Sequence, residues 1–134
     1  MNDSLDHFDD LEIYVEGEPL EAIKDWLANS FPNGETRRES KKGFRFEGNH
    51  QGGNTPITVV KNAGQTGFTS VWVQTKNTPW KNDIEMARSA CKSLSLPVRC
   101  IESAWQKGDD PDQWYEITPE GESKITWKTM DEED

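Results

Sequence analysis

A period-two alternation recurs along the chain and constrains the fold more than any other feature. In "LEIYVEG", Leu11, Ile13 and Val15 fall on one side, and Glu12, Tyr14 and Glu16 on the other. "FTSVWVQT" repeats the pattern, with Val71 and Val73 opposed to Trp72. Side chains in a strand point alternately to opposite faces, so such a segment is a strand half-buried against a core. "ITVVK" reads as a further strand, and "NAGQTG" as the turn that joins it to "FTSVWVQT" in a hairpin. "ETRRESKKGFRFE" suits an extended segment or hairpin with Phe44 and Phe46 facing inward. "WYEIT" and "SKITWK", joined by "PEGE", read as a final hairpin.

Two segments change period. "EPLEAIKDWLANSF" carries Leu20, Ile23, Leu27 and Phe31 at helical spacing, with Pro19 suited to the first turn. "TPWKNDIEMARSACKSLSL" places Ile84, Ala87, Cys91 and Leu94 on one stripe. Either Thr78 with Pro79, or Asn82 with Asp83 and Glu85, can cap it. Each helix follows a strand and a proline-marked bend and stops at a proline, which makes a weak internal echo.

The expected fold is therefore α+β: an antiparallel sheet with two helices packed on one face, ferredoxin-like, plus a C-terminal β-hairpin. Residues 11–128 form the expected single domain. An acidic N-terminal arm (1–10) and an acidic tail (129–134) flank it.

Hydrophobic residues are only 32 % of the 134, so the core depends on large aromatics. Six tryptophans and five phenylalanines supply them, at roughly 150–250 Å² of buried area each. No apolar run approaches the roughly 20 residues of a membrane span, and "MNDSLDHFDD" lacks the features of a signal peptide. The expectation is a cytoplasmic protein with Cys91 and Cys100 as free thiols. The net charge of −10 disfavours direct nucleic-acid or membrane binding and permits docking on a basic protein.

"KGFRFEG" and "IYVEG" resemble the two aromatic strand motifs of RNA-recognition domains, whose aromatics stack on bases. Arg45, Glu47 and Asn49 depart from that pattern, and the family is not assigned. The run Arg37, Arg38, Lys41, Lys42, Arg45 is the one positive island. It reads as a solvated edge strand or as a contact for a phosphate or an acidic partner.

Catalytic chemistry finds little support. His7 lies in the arm and His50 in "GNHQGGN", without a nearby base, zinc spacing or phosphate-cradling loop. Cys91 sits on a helix's apolar stripe, where a core thiol is expected. "GDDPD" lacks the spaced ligands of a calcium loop and reads as a solvated turn. No enzyme activity, cofactor or metal is expected.

The expected function is that of a small acidic interaction module, an inhibitor, immunity or adaptor protein, docking on a basic partner. Its contact residues would be Tyr14, Trp72 and Trp114 on the uncovered sheet face, with Asp109, Asp110 and Asp112. Trp80 would pack at the helix–sheet junction. Three other readings stand beside it: a pocket for a small molecule or peptide between sheet and C-terminal hairpin, an enzyme with His50 in an unusual site, and a hairpin or long loop that folds over the aromatics and buries them.

Overall fold

The computed structural model describes residues 10–62, 67–75, 77–101 and 113–126. In chain order the elements are β1 (Leu11–Glu16), α1 (Leu20–Ser30), β2 (Glu35–Ser40), β3 (Gly43–His50), β4 (Gly53–Lys61), β5 (Phe68–Val73), α2 (Asp83–Leu94), β6 (Val98–Cys100), β7 (Gln113–Thr118) and β8 (Gly121–Thr126). All eight strands join one sheet, ordered β2-β3-β4-β5-β1-β6-β7-β8, and every pairing is antiparallel.

The ferredoxin-like expectation is overturned by this order. That arrangement places two strands between its helices and builds on βαβ units. Here four strands, β2 to β5, run as a meander between α1 and α2. The connection through α1 carries the chain from β1 to the far edge, and the meander returns until β5 pairs with β1. α2 then crosses β1, and β6 pairs on its other side. The C-terminal hairpin is not an appendage: Val98 pairs with Ile117 and Cys100 with Tyr115, so β7 and β8 extend the sheet. The molecule is thus a mixed α and β protein dominated by its sheet.

One face of the sheet carries the core. Leu11, Ile13 and Val15 of β1 join Ile57 and Val59 of β4, Val71 and Val73 of β5 and Val98 of β6 in one cluster, and all are buried. Phe44 and Phe46 of β3 lie in the same cluster at 4 % and 2 % exposure. In the RNA-recognition motif that "KGFRFEG" resembles the aromatics stack on bases, whereas here both are packing residues.

α1 adds Ile23, Trp26 and Leu27 to this core, and α2 adds Met86, Ala87, Ala90 and Cys91. The buried stripe of α2 is thus rotated from the sequence reading: Ile84 and Leu94 are only partly buried, while Met86 and Ala90 are fully enclosed. Trp26 stacks on Trp80 with ring centroids 5.3 Å apart, and Phe31 meets Trp80 edge-on at 5.6 Å. Trp80, just ahead of α2, is thereby packed against α1 and its C-cap within the core cluster. Asn82 is the N-cap of α2; its side chain accepts from the Glu85 amide at 2.9 Å, and Glu85 in turn accepts from the Lys81 amide. The left-handed Ser95 ends the helix.

No helix among the described residues is long and apolar enough to cross a membrane.

Candidate functional site

The candidate site is the face of the sheet opposite the core. Cross-strand pairing writes out one row of it: Arg38 opposes Arg45, Arg45 opposes Thr58, Thr58 opposes Trp72, and Trp72 opposes Glu12. Continuing the β1–β6 register by two residues brings Ile101 opposite Glu12 from the other side. Trp72 is 39 % exposed and Ile101 43 %. They are the two large apolar side chains that stand open among the described residues, and they bracket one carboxylate.

The next row holds Ser70, Tyr14, Arg99 and Glu116. Tyr14 is half-buried, and its ring meets Trp114 edge-on at 5.5 Å. Trp114 shares this face but is only 7 % exposed, so it supports Tyr14 from below rather than presenting its own surface. Arg99 binds Glu116 at 2.9 Å and lies 4.7 Å from the centre of the Phe68 ring.

Carboxylates surround the aromatics. The Trp72 indole donates to Asp10 Oδ2 at 2.9 Å, and the Ser70 hydroxyl donates to Glu12 Oε2 at 2.9 Å. Tyr14 also hydrogen bonds to Glu12. Burial pushes the Glu12 carboxyl above the usual range, against the hydrogen bonds from Ser70 and Tyr14 that favour its charge. Burial, then the Glu12 charge, pushes the Tyr14 phenol up to about 12, so it stays a donor. Behind this group sits Asp83, the first residue of α2. Burial, with the nearby Asp10 and Glu12 charges, pushes its carboxyl up to about 7, although the Glu12 backbone amide bonds to it.

Of the residues expected from sequence, Tyr14, Trp72 and Trp114 share the face opposite the core, where Trp72 is exposed, Tyr14 half-buried and Trp114 buried, which corrects the expectation that Trp114 stands open. The C-terminal hairpin continues the sheet instead of folding over them. Asp109, Asp110 and Asp112 lie outside the described residues, as do His7 and the whole of "GDDPD". Four participants escaped the sequence reading: Asp10, Glu12, Ser70 and Ile101. Only the register, which joins segments far apart in the chain, assembles them.

Elsewhere the chemistry is plain. His50 ends β3, and its backbone carbonyl accepts from Asn77 at 2.8 Å. Burial raises the Cys91 thiol, so it is poorly suited to form a thiolate. No group of three potential metal ligands gathers among the described residues. A hollow of about 400 Å³ lies between α2 and the β7–β8 turn, lined by Arg88, Cys91, Lys92, Ile117 and Glu122. Arg88 spans Glu122 with two bonds of 2.9 Å across it, and Tyr115 adds a third at 2.8 Å.

Compared with known proteins, the chain matches no family model, no curated protein and no solved structure at a significant level. Function is therefore argued from the site itself.

Proposed function

We propose that this is an acidic interaction module whose sheet face opposite the core binds a basic protein, as an inhibitor, immunity protein or adaptor does. The observation that carries the reading is the row in which exposed Trp72 and Ile101 bracket Glu12, with Asp10 beside them. Tryptophan is the side chain most often found to anchor an interface, and an anchor works best when neighbours exclude water. A guanidinium or ammonium group entering between Trp72 and Ile101 would meet the Glu12 carboxylate directly and the indole face beside it.

The acids of the face, reinforced by the net charge of −10, would steer a cationic partner before contact. The cytoplasm is the proposed compartment, in keeping with the free thiols of Cys91 and Cys100. The hollow beside α2 supports a second reading, a small-molecule or peptide site. Its volume is adequate, but its walls hold an Arg88–Glu122 pair that is already satisfied.

The test is a pull-down with the wild-type protein and the Trp72→Ala and Glu12→Gln variants, followed by association kinetics across salt concentrations. The expected result is capture of a basic protein by wild type, weakened by both substitutions, with an association rate that falls steeply as salt rises. A complex indifferent to salt and to both substitutions would refute the reading.

A further inference from the structure

The same face carries a second, oppositely charged feature at its β2–β3 end. The β2–β3 register shifts between Thr36 and Arg38, so Arg37 is the extra residue of a β-bulge. Just past it, Arg38 and Arg45 are direct cross-strand partners. Like charges placed opposite one another destabilise a strand pair, and this chain has 25 acidic residues with which to avoid it. Yet among the described residues no hydrogen bond or ion pair engages the guanidinium of Arg38 or Arg45, and Arg37 has only an exposed contact to Glu35 at 3.8 Å. Arg37, Arg38 and Arg45 line a hollow of about 270 Å³ whose one acidic wall is Glu47. A second hollow of about 260 Å³ shares Arg38 and Arg45 with the first and has Glu39, Lys42, Thr58 and Val60 in its lining.

We infer that Arg37, Arg38 and Arg45 form a binding site for a phosphomonoester, its phosphate held by the three arginines and its organic part lying in the hollow over Thr58 and Val60. Guanidinium forks match phosphate oxygens in bidentate geometry, and a dianion relieves the repulsion that the Arg38–Arg45 pairing builds in. The bulge aims the third arginine at the same point, which regular alternation would not do. The adjoining hollow is what favours an ester over free phosphate. This site adjoins the Trp72 site through Thr58, the cross-strand partner of Trp72, but its residues differ and it stands whether or not a basic partner binds there.

The test is a titration of the full chain, followed by NMR of arginine Nε–H and backbone amides. The probes are glycerol phosphate, inorganic phosphate and acetate, each at matched ionic strength. The expected result is saturable shifts at Arg37, Arg38 and Arg45 with glycerol phosphate, weaker binding of inorganic phosphate, and acetate weaker by about tenfold or more. Binding weakens as pH falls below about 6, where a phosphomonoester gains a proton. Arg45→Gln lowers affinity by about tenfold, while Arg45→Lys, which keeps the charge but not the fork, retains part of it. Unchanged amide shifts in the core report that both variants fold.

Shifts that rise linearly without saturating, or that acetate reproduces, overturn the site. Inorganic phosphate binding as tightly as the ester overturns the role of the second hollow. Variants that self-associate, with a wild type indifferent to phosphate, would show that the arginines only guard a sheet edge.

Discussion

Asp83→Asn tests the electrostatics of the acidic group at the α2 N-terminus. In the folded protein the Asp83 carboxyl is pushed from its ordinary 3.8 up to about 7, first by burial and then by the Asp10 and Glu12 charges. The unfolded chain releases this proton near its ordinary value, whereas the folded chain holds it until about pH 7. Between those limits the folded state binds more protons, so stability falls as pH rises through the window, and above it the whole cost is present. About three pH units at about 1.36 kcal/mol each set a ceiling of about 4 kcal/mol. The side chain is only partly buried, and solvent screening halves this to about 2 kcal/mol.

An opposing effect is the favourable field of the helix N-terminus on a negative charge, worth about 0.3–1 kcal/mol, which asparagine forfeits. The burial cost is larger, so the substitution stabilises at high pH. Urea unfolding of both proteins at about pH 4.5, 6 and 8 measures the balance. The variant should match wild type, or fall slightly below it, at the lowest pH. At the highest it should gain about 1–2 kcal/mol, or roughly 4–8 °C in Tm, with unchanged m-values. An offset independent of pH, or a variant less stable at pH 8, would refute the argument.

Three further outcomes follow. Affinity for a basic partner should fall about threefold to tenfold between about pH 8 and pH 6 in titration calorimetry, because Asp83 takes up a proton beside Asp10 and Glu12, and Asp83→Asn should flatten that dependence. Trp80→Ala should cost about 3–5 kcal/mol in chemical denaturation, since it removes the stack on Trp26 and the edge contact with Phe31, whereas Trp72→Ala on the open face should cost under about 1 kcal/mol. Gly43→Ala should destabilise by about 3 kcal/mol or more and broaden the amide signals of β2 and β3, because its Cβ would sit 1.8 Å from the Val59 carbonyl oxygen.

The strands of the sheet's centre were legible because their faces differ sharply. Val71 and Val73 against Trp72, or Ile13 and Val15 against Glu12 and Tyr14, leave one way to orient each segment. The width of the sheet was not legible. β2, "ETRRES", has no apolar residue and is almost wholly exposed; it is a strand because β3 offers backbone partners, not because its side chains are buried. With residues 35–47 open between one extended segment and a hairpin, the number of strands between the helices was not fixed, and the ferredoxin-like topology became the simplest one available. The aromatic half of the site followed from alternation alone. Its acidic half did not, because the Ser70–Glu12 and Trp72–Asp10 bonds join segments whose register no local pattern encodes. The altered acidity of Asp83 depends on burial, which its place in a capping sequence conceals.

The position of β1 has a consequence for how the protein is made. β1, inside the sheet, precedes every other described strand in sequence, and Leu11 must wait for Val73, and Tyr14 for Arg99, before either edge is closed. At about 5–20 residues per second of synthesis, Leu11, Ile13 and Val15 face the cell without strand partners for several seconds. Glu12 and Glu16, interleaved with those apolar residues, then act as gatekeepers against pairing with other chains. Glu12, which lies on the face opposite the core in the finished molecule, thus guards the nascent one.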